Sequence, residues 1–97
     1  MMARVPGIFS YSRISHPDEL AASAALALPA IKAAGGWILA RGLPLQTYEQ
    51  GHSERVVVIE FDSLEAACSM HDGAGYQDAL AALADGAERD IRIIETV

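Results

Sequence analysis

A single cysteine, Cys68, stands in a chain of 97 residues. One thiol permits no internal disulfide and excludes a cysteine-based zinc site. No apolar stretch approaches the ~20 residues that a membrane span requires. Met1 to Ile14 lacks the continuous apolar core of a secretory signal, so the expected compartment is the cytoplasm. Positive charge is scarce as well: seven Lys and Arg against thirteen Asp and Glu give a formal net charge of −6. Those seven are scattered without a basic stripe, so phosphate backbones are repelled and nucleic acid is not an expected partner.

What is present is a composition 52% hydrophobic and 21% charged, that of a globular protein. The length fits one domain spanning residues 1–97, which should bury roughly 60–65% of its unfolded surface. Its centre is Arg55-Val56-Val57-Val58-Ile59-Glu60-Phe61. A strand with one wet face alternates apolar and polar residues; a run apolar on both sides reads as a strand covered on both faces. In so short a chain helices cover one face, and a second copy of the protein is expected on the other.

The remaining elements follow in order. Met1 to Pro6 reads as a loose lead-in and Gly7 to Ser15 as a first strand, with Ile8, Ser10, Ser12 and Ile14 on one face and Phe9, Tyr11 and Arg13 on the other. Small serines beside this aromatic row either line a cavity or pack against a helix. Ser15-His16-Pro17-Asp18-Glu19 starts a helix, since Ser15 or His16 can cap and Pro17 suits a first turn. Leu20, Ala24, Ala27 or Leu28, and Ile31 form its apolar stripe. Pro29 should kink it before Gly35-Gly36 stops it.

Trp37 to Arg41 is a second strand, with Trp37, Leu39 and Arg41 on one face. Gly42 and Pro44 suit a bend, after which Leu45 to Glu49 could continue the strand. Gln50-Gly51-His52-Ser53 turns into the apolar run. Asp62-Ser63-Leu64-Glu65 matches a capping box, opening a helix whose inner stripe is read as Leu64, Ala67, Cys68 and His71. Gly73-Ala74-Gly75 breaks that helix, Tyr76 to Ala84 resumes it, and Ile91 to Ile94 is the last strand.

The order β-α-β-β-α-β is the ferredoxin-like arrangement of the α+β class. Right-handed crossovers put both helices on one face of a four-stranded antiparallel sheet, with the first and third strands central. Val57, Ile59 and Phe61 are assigned to the covered side. Val56, Val58 and Glu60 line an open side that would be a large apolar patch in a monomer, so a homodimer through that face is expected.

Three stretches carry a resemblance: Gly35-Gly36-Trp37-Ile38-Leu39-Ala40-Arg41-Gly42, Arg55 through Ala67, and Tyr76-Gln77. Together they resemble the small bacterial family catalogued as domain of unknown function thirteen-thirty, of the dimeric α+β barrel superfamily, from about Phe9 to Glu95. The resemblance implies a homodimer with facing sheets and pockets between sheet and partner, and no known activity. Superfamily relatives include cofactor-independent monooxygenases, lactone isomerases and haem-binding enzymes. The chain departs from the family pattern at Ala34, Leu43, Met70, His71 and Gly73-Ala74-Gly75.

Candidate site residues follow from side-chain chemistry. Arg41 and Glu60, expected on the same open face, would form either an ion pair fixing the dimer register or an anion clamp with Glu60 as base. His71 beside Asp72 offers a general base, and Tyr76 could hold a developing oxyanion; an ordinary helix end has the same composition. Trp37 and Tyr11 are candidate substrate contacts, although Trp37, like Tyr48, suits packing or a dimer rim better than a stacking platform. Cys68 reads as a small buried hydrophobe. The three histidines lie in separate elements without ligand spacing, so neither a metal nor a cofactor such as haem is expected. Two functions remain open: a small-molecule binder, with a cofactor-independent enzyme acting on a carbonyl or aromatic metabolite as its catalytic form, and a non-catalytic dimeric interaction module.

Overall fold

A four-stranded antiparallel sheet with three helices on one face makes up the described residues, 4–97, of the computed structural model. The strands are β1 (Val5–Ile14), β2 (Trp37–Gly42), β3 (Val56–Phe61) and β4 (Ala87–Ile93). The helices are α1 (Pro17–Ala33), α2 (Leu64–Asp72) and α3 (Ala74–Leu83). The sheet order is β2-β3-β1-β4, so β1 and β3 are central, as the ferredoxin-like reading requires. One sheet and one helical layer make a slab with extents of 39 × 33 × 15 Å.

The apolar run faces the way its alternation implies. Val57, Ile59 and Phe61 are buried under the helices, while Val56, Val58 and Glu60 are half-buried on the open side. Phe9, Tyr11, Ile31, Ala67, Met70 and Tyr76 complete the covered core. Phe61, 1% exposed, is its most enclosed large side chain. Gly36 lets the chain pass it: a Cβ there would lie 2.7 Å from Phe61 Cε1. Just before it, Gly35 ends α1 at φ +76°, a backbone conformation that glycine adopts without a Cβ clash.

Several boundaries move. Met1–Ala3 of the expected lead-in lie outside the described residues, and Val5 and Pro6 already belong to β1. β4 starts at Ala87 rather than Ile91, because pairing with β1 orders a polar stretch that has little strand signature of its own. Leu45 to Glu49 joins no strand. The Ser63 side chain accepts from Ala66 N at 3.0 Å, confirming the cap on α2. The inner face of α2 is Ala67 and Met70, whereas Leu64 and Cys68 are exposed. Neither Ser15 nor His16 caps α1 through its side chain; both backbone N–H groups donate to the Gly86 carbonyl instead. α1 continues through Pro29, which lies on its exposed side, where water can take the carbonyl that proline leaves without a donor.

Candidate functional site

A half-open cavity of about 100 Å3 lies on the covered face of the sheet, between the strands and α1. It exists because α1 packs chiefly on α3 rather than directly on the strands. Small residues permit that helix contact: a Cβ on Gly75 would meet the Ala30 Cβ at 3.2 Å. Ala24 and Ala27, too short to fill the gap, form part of the roof with Leu20 and Leu28.

Three arginines reach this cavity from three parts of the sheet: Arg41 from β2, Arg55 from just before β3, and Arg89 from β4. Tyr11, Tyr76 and the buried Ser23 line it with them. Arg89 Nη1 donates to Tyr76 Oη at 3.2 Å, and its guanidinium lies 5.8 Å from the Tyr11 ring centroid. Arg55 Nε is buried without a hydrogen-bond partner among the described residues. Among the described residues none of the three forms a carboxylate ion pair there, and no Asp or Glu lines the cavity. In a chain of net charge −6, this is a local concentration of positive charge and hydrogen-bond donors against an apolar roof.

Arg41 is here because β2 is irregular. Trp37 stands opposite Glu60 and Ile38 opposite Ile59, but Ala40 stands opposite Val58 and Arg41 opposite Val57. The register slips by one residue at Leu39, as in a β-bulge. Directly paired residues share a face, so Trp37 points to the open side and Arg41 to the covered side. The expected Arg41–Glu60 pairing is therefore overturned: simple alternation cannot anticipate an extra residue. A second slip between Tyr11 and Arg13 pairs Tyr11 with Arg89 on the covered side and Arg13 with Glu88 beyond it.

Glu60 is held elsewhere. Arg4 Nε lies 3.0 Å from Glu60 Oε1, and the Arg4 guanidinium sits 4.4 Å from the Trp37 ring centroid. Glu60 and Trp37 are thus neighbours on the open face, remote from the cavity lining. His71 also lies outside that lining. Its Nδ1 is 3.0 Å from Asp72 Oδ1, and its ring packs at 5.0 Å from the Tyr76 ring, tilted 40°. His71 therefore braces the tyrosine from behind. Of the residues read as site candidates, Arg41, Tyr11 and Tyr76 come together; Glu60, Trp37 and His71 do not join them.

Arg55, Arg89 and Ser23 were not singled out from sequence. Arg55 reads as the charge closing an apolar strand, and Arg89 precedes the stretch with strand character. With β4 starting at Ala87, alternation would have placed Arg89 on the face of Ile91 and Ile93. Away from the cavity, His16, Glu19 and Asp85 can each bring one ligand atom within 4.8 Å of the others. That juxtaposition is invisible to local spacing, because Asp85 comes from the loop before β4. His16 and Asp85 are exposed and Glu19 is half-buried, and exposed acidic groups commonly stand together without an ion.

On the open face, Ile8, Val56 and Ser10 floor a wide groove of about 690 Å3, walled by the segment between β2 and β3. Trp37, Leu39, Leu43, Leu45 and Tyr48 are exposed on or beside this face. Asp90 and Arg92, also on its rim, are joined by two hydrogen bonds of 2.9 and 3.0 Å. The Arg92 guanidinium thereby holds the Asp90 carboxyl below its ordinary value of 3.8.

The fold has solved counterparts. A protein of unknown function from Rhodopseudomonas palustris is 18% identical, with TM-score 0.73 over 100% of this chain and 85% of that one. SnoaB, a cofactor-independent oxygenase from Streptomyces nogalater, is 12% identical, with TM-score 0.62 over 98% and 92%. A dimeric ferredoxin-like protein of unknown function from Thermobifida fusca is 16% identical, with TM-score 0.56 over 99% and 93%. At these identities the likeness concerns the fold. No curated protein matches the sequence. The family model described as domain of unknown function (DUF1330) matches residues 7–97, and the chain belongs to that family.

Proposed function

We propose that the protein is a homodimeric small-molecule-binding protein whose ligand site is the cavity beneath α1. The observation that carries the reading is the set of donors gathered there, Arg41, Arg55, Arg89 and Tyr76, with no carboxylate among the described residues to neutralise them. Structural ion pairs hold their charges close, as Arg4 and Glu60 do; binding sites leave theirs available to a ligand. Arg41 is not occupied by Glu60, the arrangement that a purely associating module would have used.

A second copy across the open face is supported by its half-buried Val56 and Val58 and by the exposed Trp37 and Leu39, and a fold relative is itself dimeric. Cofactor-independent chemistry on a carbonyl or aromatic metabolite is the catalytic form of this reading, with a fold relative that is a cofactor-independent oxygenase. Arg41, Tyr11 and Tyr76 would contact the substrate. His71, hydrogen-bonded to Asp72, would position Tyr76. A thermal-shift screen against small metabolites tests the binding claim. A ligand at 100 times its dissociation constant adds about 2.7 kcal/mol of stability, and that gain should disappear in Arg89→Met. A screen in which every hit survives Arg89→Met would remove the site from this cavity.

A further inference from the structure

We propose that the ligand of the cavity is a compact organic anion, a carboxylate carried on a short apolar body, which deepens the small-molecule reading above and rests on it. The charge argument comes first. Three guanidinium groups share one cavity without a carboxylate among its lining residues, and arginine stays protonated throughout the accessible pH range. A neutral ligand would leave their mutual repulsion in place, whereas an anion turns it into attraction. The hydrogen-bond inventory points the same way. Arg55 Nε is a buried donor without a partner among the described residues, a state that costs free energy until an acceptor arrives. Arg89 already donates to the Tyr76 oxygen, which leaves the tyrosine its own proton to give.

Shape completes the assignment. The arginines enter from the sheet, while Leu20, Ala24 and Leu28 present hydrocarbon from α1 and Ile38 adds to it from β2. A ligand matching both has a charged end and an apolar end. A cavity of about 100 Å3 keeps that body small. Carboxylate geometry suits guanidinium forks, which can donate two parallel hydrogen bonds. An inorganic anion would satisfy the donors and leave the apolar roof unused.

The test is calorimetric titration of the full chain with benzoate and hexanoate, with their neutral amides benzamide and hexanamide, and with inorganic phosphate. The expected result is saturable binding of the carboxylates, with amides and phosphate weaker by about tenfold or more, the loss of a charge-assisted hydrogen bond or of apolar burial. Arg55→Met and Arg41→Met should each weaken carboxylate binding by a similar factor. Arg41 stands exposed at the mouth, so its variant reports even if Arg55→Met folds poorly. Amides that bind as tightly as carboxylates would overturn the anion and leave the small-molecule reading standing. Phosphate binding equal to that of benzoate would overturn the apolar body. No binding by any carboxylate would overturn the proposal, and hits from a broad metabolite screen would show whether the wider reading falls with it.

Discussion

The two faces of this sheet carry similar groups in opposite states. On the open face Arg4 lies over Trp37 and is answered by Glu60 at 3.0 Å. On the covered face Arg89 lies near Tyr11 and donates to the Tyr76 hydroxyl, and the neighbouring Arg41 and Arg55 lack carboxylate partners among the described residues. An arginine–aromatic contact is therefore uninformative taken alone. The presence or absence of a counter-charge distinguishes a surface device from a group held ready for a ligand. Position sharpens the contrast, because a charge in a cavity is worth more to a partner than one exposed to screening solvent.

The largest effect should come from truncating the covered core. Phe61→Ala should lower unfolding free energy by about 3–5 kcal/mol in urea titration, while Val58→Ala on the open face should cost much less in a dilute, monomeric sample. A comparable loss at both positions would abolish the distinction between the covered core and the open face. Val58→Asp should next convert the proposed dimer to monomer by placing a carboxylate on the apolar face through which it would form, at a cost of about 2 kcal/mol or more. Sedimentation at micromolar concentration reads this, and an unchanged assembly would show that the copies meet elsewhere.

Arginine replacement should then differ in sign between the faces. Arg4→Met removes a partly exposed ion pair and should cost about 0.5 kcal/mol. Arg55→Met removes an unpartnered donor and should be neutral or stabilising by up to about 1 kcal/mol. Equal destabilisation of both would mean that Arg55 is a structural group. The smallest effect concerns Asp90, whose carboxyl is held below 3.8 by hydrogen bonding to Arg92. A carboxyl lowered in the folded state adds stability above its unfolded value, and that stability fades as pH falls through the folded one. Asp90→Asn should therefore flatten stability slightly on the acid side of 3.8 and nowhere else, as urea midpoints against pH would register.

Legibility in the sequence followed the range of the interactions involved. The helix start at Ser63 and the glycine break between α2 and α3 depend on residues within a turn of one another, and both stand where expected, although Ser63 caps Ala66 alone, without the reciprocal bond of a capping box. The facing of Val57, Ile59 and Phe61 follows from period two in a regular strand. Arg41 could not be placed this way, since the slip at Leu39 reverses every face beyond it. Arg89 was hidden because β4 owes its first turn of pairing to β1 rather than to its own composition. Cys68 and Leu64, expected inward, are exposed because a helix of nine residues buries only a narrow stripe.

The sequence by itself determined the order of elements, the ferredoxin-like α+β class and the apolar central strand, all of which arise from local periodicity and chain connectivity. Only tertiary structure decided which charges meet. A one-residue slip sent Arg41 beneath α1, left Glu60 to Arg4, and assembled three arginines from separate strands in one cavity. Side-chain period fixes a face only until the register shifts, and register is a property of two strands together.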